Sequence, residues 1–242
     1  MSSVDAIRQS LRNHVNPERA VVAPRFFKAG PGEYAEGDMF IGVTVPDTRA
    51  IARKYRDLVR EDITALLHSE WHEERLLALF ILVDQYRRGD VAVQQDIYAF
   101  YLANTQYINN WDLVDSSASY IVGAHIADRA DRLEVLERLA KSDLLWERRI
   151  AIISTLYFIV KRGRADETLV IADILLDDSH DLIQKAVGWM LREVGKRIDR
   201  KLLEDYLDIH AATMPRTTLR YAIEHFPPQQ RQDYLQKKFA AQ

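Results

Sequence analysis

The chain has 242 residues, with 33 Lys and Arg against 36 Asp and Glu, a net charge of −3 and no cysteine. Its 48% hydrophobic content makes it globular rather than disordered, and large enough to bury a core without a staple. The missing cysteines exclude a disulfide scaffold, a thiol nucleophile and Cys-ligated zinc or iron–sulfur centres.

The N-terminal MSSVDAIRQS lacks the apolar core of a signal peptide, and no run of about 18 apolar residues follows. No membrane segment is expected, and a cytoplasmic protein is the default. Residues 1–45 read as an N-terminal helical hairpin and a connector. The connector is Ala29–Val45, AGPGEYAEGDMFIGVTV, with glycines at 30, 32 and 37. No Gly-Lys-Ser/Thr follows those glycines, so the stretch is not a phosphate loop. Val45-Pro46-Asp47 opens the next helix, with proline in its first turn. From 47 to 214 there is no proline, and the chain holds only nine glycines, too few for the turns of a sheet protein. The apolar pattern runs at a helical period instead, as in Leu76, Leu77, Phe80, Val83 and in Ile150, Ile153, Leu156, Tyr157. Polar clusters at 88–90, 141–143, 161–164 and 177–179 mark the breaks, with Ser142 and Ser179 as candidate N-caps. About fourteen helices of roughly 10–17 residues follow from this reading.

The helices come in repeating pairs. Tryptophans stand at 71, 111, 146 and 189, spaced 40, 35 and 43, close to the period of HEAT-type repeats. A second series, Arg75, Asp115, Arg149 and Lys185, runs at 40, 34 and 36. The expected fold is all-α: a single domain over 1–242, a right-handed α-solenoid of HEAT-like two-helix repeats. Helices 72–88, 111–126, 146–162 and 180–196 would lie side by side on its concave face. Tryptophans in such repeats can simply be core. A charged side chain three or four residues from each Trp, however, shares its helical face, which argues for a groove lined by indoles and cations around one carboxylate.

Charge is unevenly spread. Residues 145–164 hold five basic and one acidic residue, 182–201 six and two, and 214–242 five and two. A basic surface on an acidic chain can still bind nucleic acid, because the local field steers the ligand. Within Asn110-Trp111-Asp112-Leu113-Val114-Asp115, Leu113 and Val114 must face the core, so only Asp115 shares the face of Trp111. That carboxylate could be a salt-bridge partner of Arg75 or Arg149. The seven histidines show no HExxH pattern, so no metal is expected. Ser116-Ser117 lacks the strand context of a serine hydrolase.

The chain resembles the AlkD-type DNA alkylation-repair glycosylases, a HEAT-like-repeat family that excises N3- and N7-alkylated purines. The likeness runs through Asn16-Pro17-Glu18, Phe40-Ile41-Gly42-Val43, residues 110–115, Trp146–Ile152, Ile183–Glu193 and Met214–Glu224. The resemblance implies that Asp115 is the catalytic carboxylate, beside Trp111, with Arg149 and Trp189 as further site residues. The partner implied is double-stranded DNA carrying alkylated purines, with no cofactor and a monomeric enzyme. An N3- or N7-alkylated purine leaves as a neutral base, so no general acid is needed. The charge that develops is an oxocarbenium ion, which a carboxylate stabilises. Trp111 and Trp189 would offer π faces to the cation, and Arg149 and Lys185 would hold phosphates. With a carboxylate and no committed amine, the enzyme would be monofunctional. A non-catalytic binder of distorted DNA and a protein-interaction scaffold are the alternatives.

Overall fold

A computed structural model describes residues 3–237. Among them the structure is all-α, and the backbone pairing outside helices reduces to one bridge between Met39 and Trp71. Fifteen α-helical segments (α1 to α15) occur in the described residues. Helices neighbouring in sequence pack on one another, as repeats of helix pairs do. No described helix is long and apolar enough to cross a membrane. The chain forms two compact units, one ending at Ile121 and the other beginning at Val122.

The first unit is organised around α5 (His72–Arg88), which packs against α3 (Val45–Lys54), α4 (Arg60–Leu67), α6 (Val91–Ala103) and α7 (Trp111–Asp115). Every residue from His72 to Leu82 is buried, so α5 is a central helix rather than an amphipathic surface one. It ends at Gly89, and Asp90 caps α6 by accepting from the Val93 amide at 2.9 Å. Two helices precede the connector, α1 (Ser3–Arg12) and α2 (Pro17–Phe27), the latter capped by Asn16 at 3.0 Å from the Arg19 amide. Thr44 caps α3, with Pro46 in its first turn as the sequence suggests.

The connector is fixed by one glycine. Gly42 has φ +84°, and a Cβ there would lie 2.2 Å from the Asn16 carbonyl oxygen. Only glycine lets this stretch press against the entry of α2.

In the second unit α10 (Leu145–Tyr157) packs on α9 (Arg132–Ala140), α11 (Asp166–Ile174) and α12 (Asp181–Arg197). Helix α12 also packs on α13 (Arg200–His210) and α14 (Arg216–Ala222). Gly188 permits the last contact, since a Cβ there would meet the Thr218 carbonyl oxygen at 2.4 Å. The breaks expected at 88–90, 141–143 and 177–179 are all present.

Two local expectations need correction. Residues 111–126 are not one regular helix: α7 stops at Asp115, a π-helical turn runs over Ser119–Gly123, and α8 (Ala124–Ile126) follows. The break falls at the serines. The hydroxyls of Ser116 and Ser117 donate to the Leu113 carbonyl at 3.2 and 2.6 Å, occupying the acceptor that the Ser117 amide would use. That amide turns to Val114 instead. A second π-helical turn, Phe158–Arg162, continues α10 and ends at Gly163 with φ 62°. Neither serine expected as an N-cap, Ser142 or Ser179, is one. The N-cap of α10 is Leu144, whose amide donates to Ser142 Oγ at 3.1 Å. That of α12 is His180: its ring Nδ1 accepts from the Leu182 amide at 3.2 Å, while Asp178 accepts the His180 amide.

Replacing Gly42 with alanine forces a side chain into a left-handed position against backbone. The expected cost is roughly 2–4 kcal/mol. A calorimetric scan of Gly42→Ala should show melting lowered by about 5–15 °C.

Candidate functional site

The Asp115 region is built from the short helix α7. Asn110, fully buried, caps it by accepting from the Trp111 amide at 2.8 Å. Leu113 and Val114 are fully buried, which leaves Asp112 on one flank and Asp115 on the other, both partly exposed. The division expected from the hexapeptide is the one observed. Behind Asp115, the Tyr101 hydroxyl lies 2.9 Å from Ser117 Oγ. The Ser117 hydrogen already goes to Leu113, so Tyr101 is the donor in that pair. Burial pushes the Tyr101 phenol well above its ordinary range. The Ser117 bond opposes the shift, and the negative charge of Asp115 adds to it. A fully buried serine with its proton committed is no nucleophile.

Trp111 is half-buried in an aromatic cluster. Phe27 lies nearly parallel to it at 5.7 Å, and the exposed Phe26 meets it edge-on at 5.7 Å. Phe27 stacks in turn on Phe40 and lies 4.6 Å from the His72 ring. His72 is buried and bonds Asp112 Oδ2 through Nε2 at 2.8 Å, with Nδ1 3.4 Å from Asp38 Oδ2. Arg75 Nη2 reaches the same Asp38 oxygen at 2.5 Å. Burial alone would depress His72, but Asp112 and Asp38 outweigh it and the pKa is pushed up to about 9. At neutral pH the cluster therefore holds two cations and two carboxylates.

Counting from each N-cap sorts the two sequence series. The caps of α5, α7, α10 and α12 are Trp71, Asn110, Leu144 and His180. Asp115, Arg149 and Lys185 each stand five residues after their cap, so this series is a true structural repeat. Arg75 stands four after, in the register of Arg148. Both arginines donate Nη1 to the carbonyl of the serine six residues back, Ser69 or Ser142, and both pair with an aspartate, Asp38 or Asp178. Arg75 is thus a buried structural arginine. The tryptophans fall at the cap, first, second and ninth positions and do not repeat.

The second unit carries the remaining candidates. Arg149 is only 5% exposed, and its Nη1 donates to the Leu182 carbonyl at 2.5 Å, joining α10 to the start of α12. Lys185 pairs with Asp181 at 2.5 Å along α12. Trp189 is half-buried, and its indole N–H donates to Glu193 Oε1 at 3.3 Å. Trp146 is 4% exposed, so a charge on the same helical turn did not keep it at the surface. Trp71 borders a separate cavity of about 520 Å³ beside Arg8, Arg12 and His68.

Sequence reasoning missed His72 and Asp38. Their partners lie 34 to 40 residues away, beyond any local pattern. One signal was available: the charged run His72-Glu73-Glu74-Arg75 opens a helix that is apolar all round, so those charges had to be buried and paired. Among the described residues no group of three or more His, Asp or Glu could hold a metal ion.

A family model described as DNA alkylation repair enzyme matches residues 7–226. A solved structure described as a predicted DNA alkylation repair enzyme from Enterococcus faecalis is similar in fold. Its TM-score is 0.69 at 18% identity, covering 89% of this chain and 98% of that one. No curated protein matches the chain.

The raised pKa of His72 has a consequence for stability. A base that binds its proton more tightly when folded stabilises fully below its unfolded pKa of 6.5 and loses that contribution as pH rises through about 9. The shift corresponds to about 3 kcal/mol. Melting of the wild type should drop by roughly 6–12 °C across that window, and His72→Gln should flatten the profile in a pH series of thermal melts.

Proposed function

The chain belongs to the DNA alkylation repair enzyme family, and we propose that within this role it is a monofunctional glycosylase. Its substrates are N3- and N7-alkylated purines in duplex DNA, released by hydrolysis of the N-glycosidic bond. One observation carries the reading. Asp115 stands half-buried on the same face of α7 as Trp111, in the helical register that Arg149 and Lys185 share in their own helices.

The chemistry follows from the charge of the substrate. The alkylated base is already cationic and departs neutral, so bond cleavage needs no proton donor. Positive charge builds instead on the sugar, where the Asp115 carboxylate stabilises it and orients the attacking water. Trp111, stiffened by Phe26 and Phe27, offers an aromatic face to the cationic nucleotide, a contact of about 0.5–2 kcal/mol. Trp189, on α12 of the second unit, is assigned to DNA as well. Lys185 is assigned to the DNA backbone, and Arg149, buried against the Leu182 carbonyl, to holding α12 on α10. The α7 segment that bears Asp115 has no amine to form a Schiff base, which supports hydrolysis without lyase activity.

Release of 7-methylguanine and 3-methyladenine from methylated duplex DNA tests the reading directly. Asp115→Asn keeps the shape and removes the charge, so single-turnover excision should fall about 10²–10³-fold. Removing a negative charge from a phosphate-binding surface should leave DNA affinity equal or higher. Wild-type excision by a folded Asp115→Asn would refute the carboxylate mechanism, and no release by the wild type would leave a non-catalytic binder. Lys185→Ala should weaken binding to damaged and undamaged duplex alike and reduce the salt dependence by about one unit of slope.

A further inference from the structure

The cluster behind Trp111 contains a buried charged group that the mechanism does not use. His72 lies on α5, touches no solvent-facing surface, and makes its short bond to Asp112, which occupies the first turn of α7 between Trp111 and the core residues. We propose that His72 is a positioning residue: through Asp112 it sets the placement of α7, and with it the indole of Trp111 and the carboxylate of Asp115.

Three observations support this. First, α7 is five residues long, too short to hold its own orientation without tertiary ties. Its ties are the buried Leu113 and Val114, the bond from Asn110 Nδ2 to the Phe27 carbonyl at 3.4 Å, that from Asn109 Nδ2 to Asp38 Oδ1 at 3.4 Å, and the His72–Asp112 pair. Second, the His72 ring also packs against Phe27 and Phe40, and Phe27 packs against Trp111. His72 therefore meets the Trp111 turn by two routes, one ionic and one aromatic. Third, the charges facing it are balanced. Asp112 comes from α7, Asp38 from the connector and Arg75 from α5, so with His72 protonated the four groups sum to zero. Asp112 is the least anchored member. Its Oδ1 is buried with no hydrogen-bond partner among the described residues, and its side chain is 15% exposed against 4% for Asp38. When His72 loses its proton, one guanidinium faces two carboxylates, and Asp112 is the one with a way to water. Release of Asp112 frees the first turn of α7 from its ionic tie to α5.

The catalytic consequence rests on the glycosylase reading; the effect on Trp111 does not. Both are measurable in one set of variants. At saturating enzyme, single-turnover release of 7-methylguanine should fall roughly 10- to 100-fold in His72→Gln, the size expected of a misplaced catalytic group, while DNA affinity stays within about twofold. If His72 acts through Asp112, the double variant His72→Gln/Asp112→Asn should lose no more than the worse single variant. In the wild type, the rate corrected for enzyme-free release should decline with a midpoint near pH 9 at temperatures well below melting. Emission assigned to Trp111, from the difference against Trp111→Phe, should titrate with the same midpoint and become flat in His72→Gln.

A purely structural role predicts otherwise: lower melting, but wild-type excision by the folded fraction in the single and double variants alike. That result overturns the proposal, as do losses of excision that add in the double variant. If the His72 variants do not fold, a wild-type Trp111 emission that is flat from pH 7 to pH 10 overturns it equally. If the wild type releases no methylpurine, the glycosylase reading fails, and the Trp111 titration alone decides whether His72 positions α7.

Discussion

Four consecutive ionisable residues, His72, Glu73, Glu74 and Arg75, are buried in the first turn of α5, each between 2 and 5% exposed. Between them they pair with three stretches of chain. His72 holds Asp112 in α7. Glu73 accepts the amides of Ile41 and Gly42, the latter at 2.7 Å. Glu74 takes the Arg8 guanidinium from α1 at 3.1 Å, and Arg75 takes Asp38 from the connector. An unpaired buried charge costs several kcal/mol, so none of these three segments can move away without leaving one. Where α1, the connector and α7 lie in the first unit follows from that requirement together with the burial of Ile7, Leu11, Phe40, Leu113 and Val114.

This arrangement explains why a five-residue helix can carry a candidate catalytic carboxylate. Helix α7 has little cooperativity of its own, and it gives way after Asp115 to an i→i−3 bond from Ser117 and then to the π-helical turn at Ser119–Gly123. Its rigidity is borrowed from α5 and from the connector. The connector in turn depends on Gly42, whose bare Cα allows contact with the Asn16 carbonyl. A segment that reads as a loop between two helical parts is thus a brace, and its one buried acid, Asp38, supports both Arg75 and His72.

The second unit uses the same device in simpler form. At the start of α10, Arg148 pairs with Asp178 and bonds the Ser142 carbonyl, as Arg75 does with Asp38 and Ser69. The next residue, Arg149, bonds the Leu182 carbonyl. In α5 and α10, then, the arginine four residues after the cap is spent on joining segments. The next position is the buried Leu76 in α5, and in α10 it is Arg149, which stands in the register of Asp115 and Lys185 and joins helices as well.

The helical class, most helix limits and the place of Pro46 in the first turn of α3 were legible in the sequence, because they depend on periodicity and on local backbone preference; the N-caps expected at Ser142 and Ser179 were not the ones used. The separation of Asp112 from Asp115 was legible too, a matter of which residues share a face with Leu113 and Val114. The 34–36 spacing from Asp115 to Arg149 and Lys185 also survived, since equal helix starts repeat at equal intervals. Only the tertiary structure decided that Trp146, Arg75 and Arg149 are buried, that the tryptophan spacing is not a repeat, and that His72 is charged and holds Asp112. Periodicity tells which residues share a face, but not which face another helix covers. An ion pair closed over 40 residues leaves no trace in local order, because its energy comes from burial that exists only once the helices have packed.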